Sequence, residues 1–260
     1  MRRQKGFSLL EIMVAVGVFV IITGVVFQLL LDAQQRYKAE TEFLDTFQSA
    51  RIGLDQIVRD VHTTGYPPIN TLPAAAAALN PNQVAEPFAW TATYPLFPCT
   101  VLGSCNAPGG PSAFDLILET DIDPENANGV EWVRYQLVGN ILRRGIASKA
   151  VGVDPVLATN VPGVMVPYIE NVMNNATQAQ MAAIQANYPA MFPGNAPVPV
   201  FRFRCGIPAA ACTLAGPTPD TSRDITEVTV SLIVQAPNPD LRTRQLRVVT
   251  LTGLARRINP

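Results

Sequence analysis

Hydrophobic and polar positions divide this chain into a long apolar run, an amphipathic continuation and a region of alternating residues. After Arg2, Arg3, Lys5 and Gly6, an apolar run opens at Phe7 and reaches Leu31, with Glu11 as its only charge. Beyond Asp32 the pattern changes: Phe43, Phe47, Ala50, Leu54, Ile57 and Val61 alternate spacings of four and three, the stripe by which a helix buries one face. No proline falls between Phe7 and Tyr66, and Gly65-Tyr66-Pro67-Pro68 ends the pattern. The spacing predicts one helix of roughly 57 residues, roughly 85 Å long at ~1.5 Å per residue. Its first half is long enough to span a bilayer, and its second half is expected to lie under a following domain. Gly17, Gly24 and Gly53 weaken it locally, each by about 1 kcal/mol relative to alanine; Gly17 and Gly24 also allow close approach of neighbouring helices.

The remainder reads as strands with insertions. Residues 66–112 are rich in proline and alanine, with Ala74 to Ala78 in a row, and read as an irregular insertion. Phe114, Leu116 and Leu118 alternate with Asp115 and Glu119, and Val133, Tyr135 and Leu137 with Arg134 and Gln136. Gly139-Asn140 then predicts a hairpin into Ile141-Leu142-Arg143-Arg144. Residues 145–197 read as a second insertion with a short helix around 174–187. Phe201 and Phe203 alternate with Arg202 and Arg204; Val228, Val230, Leu232 and Val234 form the clearest strand; Leu246 to Leu254 follow the turn at 237–240. No internal repeat is present.

Composition narrows the function classes. Charged residues are 15% of the 260, and 23 prolines and 17 glycines concentrate outside the long helix. A formal charge of −1 offers no electrostatic footprint for nucleic acid; the local arginines 242, 244 and 247, and 256 and 257, read as solvated strand edges. Four cysteines permit three pairings. Short spacing in loops favours two local disulfides, Cys99–Cys105 and Cys205–Cys212, over a metal site, because neither pair has zinc-ribbon spacing and the single histidine, His62, is in another element.

Catalytic chemistry is not predicted. With one histidine, serine–histidine and cysteine–histidine pairs are nearly exhausted, and no phosphate-binding loop, dinucleotide fingerprint or zinc-protease motif occurs. His62 reads as a solvated residue at a helix end. No cofactor is expected. One metal hypothesis attaches to Asp121, Asp123 and Glu125, whose oxygens suit calcium; the segment departs from the helix-loop-helix calcium pattern, with Asn126 in place of the turn glycine and Trp132 in place of the bidentate glutamate, and a polar turn explains it equally.

The basic leader and the lone acid carry the sharpest signal. A carboxylate within a membrane helix is costly, about 2.5–3.5 kcal/mol at the helix centre on insertion scales, so Glu11, near the start, needs a reason to be there. Gly6-Phe7-Ser8-Leu9-Leu10-Glu11 followed by an apolar run resembles the signal of type IV prepilins and pseudopilins. An ordinary secretory signal would place small residues after Leu31, where Asp32-Ala33-Gln34-Gln35 stands. A plain signal anchor explains the basic leader but neither Gly6 nor Glu11. The resemblance implies cleavage by a prepilin peptidase between Gly6 and Phe7, methylation of the Phe7 amine, and an ion pair between Glu11 and such an amine in the filament. Loss of the leader would leave 16 basic and 20 acidic side chains, a net charge of −4.

Arg59-Asp60-Val61-His62-Thr63-Thr64-Gly65-Tyr66 further resembles the end of this helix in PilW-type minor pilins, with Val61, His62 and Thr64 as departures. The implied fold is α+β and pilin-like: a long N-terminal helix on an antiparallel sheet. The implied divisions are a leader at 1–6, a membrane and assembly half at 7–31, an amphipathic half at 32–65 and a periplasmic β domain at 66–260. The implied function is that of a minor pilin, held in the inner membrane and then placed at or near the filament tip to prime assembly, its partners being other major and minor pilins. A J-type pseudopilin of type II secretion is the alternative within the class, and a membrane-tethered periplasmic binding module or hydrolase the alternative outside it.

Overall fold

The computed structural model describes residues 8–71, 83–85, 87–89, 113–124, 129–149, 165–212, 224–240 and 244–259. Gly6, Phe7, Cys99, Cys105 and Glu125 lie outside them. The apolar run and the amphipathic stripe form one continuous helix, α1 (Leu9–Thr63), of 55 residues. It stops where Gly65 takes a φ of 77°, a backbone region open to glycine at little cost. The Gly65 N–H then donates to the Glu119 carbonyl at 2.8 Å, turning the chain onto a strand.

Two antiparallel sheets follow where one was expected. The first has the order β1-β2-β3-β4-β5 and the second β7-β6-β8-β9. The first comprises β1 (Phe88–Ala89), β2 (Asp115–Thr120), β3 (Glu131–Val138), β4 (Ile141–Ser148) and β5 (Val166–Ile169). The second comprises β6 (Phe201–Cys205), β7 (Ala210–Ala211), β8 (Ile225–Gln235) and β9 (Val248–Arg256). The chain beyond β5 stitches the two: Met173 N–H donates to Ile233 O at 2.7 Å and Gln235 N–H to Asn171 O at 3.0 Å. The hairpin at Gly139-Asn140 is present, pairing Val138 with Ile141, and Gly139 has the positive φ, 62°, that a two-residue turn with glycine at its first central position requires.

Several expected boundaries move. Residues 145–148 continue β4, and Val166–Ile169 forms β5, so the second insertion is smaller than its proline content suggested. The short helix is α2 (Gln178–Gln185), held by a capping box in which Gln180 N–H donates to Thr177 Oγ1 and Thr177 N–H to Gln180 Oε1. Within the first insertion, Phe88–Ala89 pairs with Leu118 and Ile117.

One core joins α1 to both sheets. Ala50, Leu54, Ile57 and Val61 pack with Leu116, Leu118, Val133, Tyr135 and Leu142 of the first sheet and Val228, Val230, Leu232 and Ala255 of the second. Phe43 and Phe47, at the N-terminal end of the stripe, are only partly buried and stack on each other at 6.5 Å. Gly53, read as a weak point, is a packing contact: a Cβ there would sit 2.7 Å from Ile169 Cγ1. A smaller core of Met173, Met181, Ile184, Phe192, Ile233 and Val248 seats α2 on the outer face of the second sheet.

β9 runs alongside α1 and in the same direction. Arg247 meets Glu40, Gly253 lies against Leu54 and Val58, and Asn259 reaches the carbonyls of Thr63 and Thr64. About 40 Å of extended chain thus tracks about 35 Å of helix.

Candidate functional site

The N-terminal half of α1 is the most unusual surface of the molecule. An 18-residue window within the helix reaches a mean hydropathy of 2.7 with none of it buried, which qualifies this helix, by length and composition, to cross a membrane. Leu9, Met13, Phe19, Ile21 and Phe27 are each at least 60% exposed. No fold would leave such an area to water, because each fully buried side chain of this kind gains about 1.5–3 kcal/mol. Glu11 sits in the first turn, where a carboxylate favourably meets the positive end of the helix dipole. It faces a shallow trough lined by Ile12, Ala15, Val16 and Phe19. Ser8 caps the helix through its backbone carbonyl, which accepts from Glu11 N–H at 3.0 Å and Ile12 N–H at 3.2 Å, and its side chain makes no cap.

The other half of α1 is fixed by polar pins that the sequence reading did not assign. Asp60 lies on the buried stripe. Its Oδ2 accepts from Tyr135 Oη at 2.6 Å and from Arg144 Nη2 at 2.9 Å, and its Oδ1 from Gln56 Nε2 at 2.6 Å. Arg144 Nε also donates to Tyr135 Oη at 2.9 Å, and its guanidinium lies over the rings of Tyr135 and Tyr168 at 5.6 and 6.0 Å. Burial, then the Asp60 charge and hydrogen bond, push the Tyr135 phenol far above its ordinary range, against the opposing Arg144. Burial alone disfavours the Arg144 charge, and Tyr135 and Asp60 together outweigh it and raise its pKa. The one forward signal was a carboxylate at a stripe position, three residues after Ile57.

The helix end is not solvated: Thr64 and Gly65 are buried. Thr64 Oγ1 donates to the carbonyls of Pro87 and, at 3.3 Å, Glu119; Thr120 Oγ1 donates to Thr63 O at 3.0 Å. His62 is half-buried, not solvated, with Nδ1 shielded from water. Near the membrane-proximal end a second grip forms. Arg247 donates to both oxygens of Glu40 at 2.7 and 2.6 Å and to Asp240 Oδ2 at 2.5 Å, and stands 5.3 Å over the Phe43 ring. The Arg247 hydrogen bonds to Glu40, and then the Arg247 charge, lower the Glu40 pKa against desolvation and the Asp240 charge. The arginine read as a solvated strand edge is thus the tie between β9 and α1.

The polar face of the first sheet is buried as well. Arg134 donates from Nε and Nη2 to the two oxygens of Asp115, at 2.9 and 2.5 Å. Glu119 accepts from Trp132 Nε1 at 3.0 Å and Lys149 Nζ at 2.9 Å. Paired so, these charges tolerate burial. Of the calcium trio, Asp121 and Asp123 come together with Glu131, which the sequence reading did not single out. Ile122 N–H donates to Glu131 Oε2 at 3.0 Å. Burial and then the Asp123 charge raise the Asp121 pKa, and burial raises that of Glu131. Cys205 and Cys212 are joined by a disulfide; the other pair lies outside the described residues.

Comparison with curated proteins and with solved structures returns no match. Residues 1–27 match the family model described as the prokaryotic N-terminal methylation motif. That segment ends inside the exposed apolar half of α1, so the motif and the bare helix are one feature. The motif is that of type IV pilin-like prepilins, and the apolar first half of α1 fits the membrane anchor such a prepilin carries.

Proposed function

We propose that this chain is a minor pilin of a type IV pilus, resembling the PilW type, processed at Gly6–Phe7. It waits in the inner membrane with residues 66–260 in the periplasm, and enters the filament at or near its tip to prime assembly. The carrying observation is the methylation motif at residues 1–27 on a helix whose first half is bare and whose second half is gripped by its own domain. Such a helix is completed first by lipid and then by the helices of other pilins. Residues 1–6 are the leader, 7–31 the assembly half and 32–65 the domain-bound half. Its function is structural: packing between helices plus one ion pair, in which Glu11 meets the amine of Phe7, its own or a neighbour's. In a low-dielectric bundle that pair is screened least, and leaving the acid there alone is costly.

The test is Glu11→Ala as the only copy in cells. Insertion is expected to be normal, since removing the acid makes the helix more apolar, while co-purification with sheared filaments and the filament count both fall. Wild-type values of both would contradict the assembly role of Glu11 and favour a tethered module.

A further inference from the structure

The two sheets have four outer edges, and three are blunted. β1 and β7 are two residues each. β5 has four residues, includes Pro167, and joins β4 through a register shift. Short strands, proline and irregular register are the devices by which sheets avoid taking on foreign strands. β9 has none of them: nine residues, no proline, no lysine, and an unbroken register from Glu227↔Arg256 to Gln235↔Val248. Among the described residues β8 is its only strand partner.

The hydrogen bonds at the ends of the ladder fix which backbone groups are left over. Ala236 N–H donates to Arg247 O and Arg257 N–H to Thr226 O, both at the register of the β8–β9 ladder. Directly opposed residues in an antiparallel pair alternate between bonded and non-bonded. The odd-numbered residues of β9 are therefore spent on β8, while the N–H and C=O groups of Thr250, Thr252, Leu254 and Arg256 point to the open edge. The side chains of these four are all exposed, with Leu254 at 59%. On β9 itself the one charged side chain is Arg256, and Glu227, the acid opposite it in the ladder, lies 3.6 Å from Arg204 of β6.

We infer that the free edge of β9 is a strand-addition site for an extended segment of another polypeptide, carrying an acidic residue where it passes Arg256. Main-chain bonds to Thr250, Thr252 and Leu254 supply the affinity, as in other edge-strand recognition, and side chains at alternate positions supply the selectivity. Because β9 runs along α1, the guest strand lies along the axis of the helix and flanks it over the domain-bound half. A second copy of this chain does not suit the edge in antiparallel pairing, since that would point the two anchoring helices in opposite directions.

The probe is a fluorescein-labelled peptide copying Ile225–Gln235, the natural neighbour of β9, titrated by anisotropy onto the full chain in detergent micelles. Saturable binding is expected. Thr252→Pro removes an N–H that β8 does not use, so the melting temperature should be nearly native while the peptide binds at least about tenfold more weakly; Thr252→Val should bind as wild type. Arg256→Glu should weaken binding about threefold to fivefold and flatten its salt dependence. On the wild-type chain, N-methylation of alternate peptide amides should abolish binding, a readout that does not depend on any variant folding. No saturable binding, or equal binding to Thr252→Pro and by the methylated peptide, would overturn the site. Wild-type dimers in sedimentation that Thr252→Pro dissolves would overturn the choice of partner.

Discussion

The two halves of α1 share one backbone and differ in what completes them. From Leu9 to Leu31 the helix carries apolar residues all round and, among the described residues, touches nothing of its own domain. From Ala50 to Val61 it carries one apolar stripe, buried by both sheets, and ends in charged and hydroxyl contacts. A helix apolar on every side has no face to give a single domain, whereas a striped one does. The first half is therefore stabilised by its surroundings, lipid or other helices, and the second by this chain alone. Substitutions in the second half should read out as domain stability, and those in the first should not.

The sharpest break is a cavity in the stripe. Leu54→Ala or Ile57→Ala should cost about 2–5 kcal/mol in denaturant unfolding of the domain, while Ile21→Ala should leave the same transition unmoved. Asp60→Ala should cost about 3 kcal/mol, because it strands the Arg144 charge and the Tyr135 hydroxyl, whereas Tyr135→Phe, which removes one donor, should cost about 1 kcal/mol. Gly53→Ala gains helix propensity but drives a methyl into Ile169, with a net loss of about 1 kcal/mol. A Cβ on Gly24 meets nothing within 4 Å among the described residues outside its own helix turn, so Gly24→Ala should leave the domain's melting temperature unchanged.

The smallest effect has the opposite sign. The pKa values of Asp121 and Glu131 are raised in the fold, by burial first. The native state therefore holds protons more tightly than the unfolded chain, and stability from this cluster rises as pH falls from neutral through the folded values towards the unfolded ones. Asp121→Asn should stabilise the domain by about 0.5 kcal/mol at neutral pH. That gain should vanish in melts taken below pH 4, where the wild-type acids are already protonated.

What the sequence made legible was what depends on local periodicity. The stripe from Ala50 to Val61, the alternation of β8 and the turn at Gly139 were each visible, because period and turn chemistry act over a few residues. The pairing of distant charges was not. Asp115 and Glu119 were legible only as the polar positions of an alternating strand, yet Arg134 and Lys149 neutralise them across 19 and 30 residues of chain. The same limit hid Asp60 with Arg144 and Glu40 with Arg247. The division into two sheets escaped for a related reason: it turns on the crossing of Asn171–Met173 to β8, which lies in a stretch with no strand alternation. The methylation motif was legible because it is read by a processing enzyme as contiguous sequence, independent of the fold.

The central claim is that the bare half of α1 belongs to a processed prepilin. Intact-mass measurement of protein extracted from membranes tests it most directly. The account predicts a chain that begins at Phe7, lacking Met1 to Gly6 and carrying one added methyl group; a chain that still begins at Met1, or one cut beyond Leu31, would contradict it.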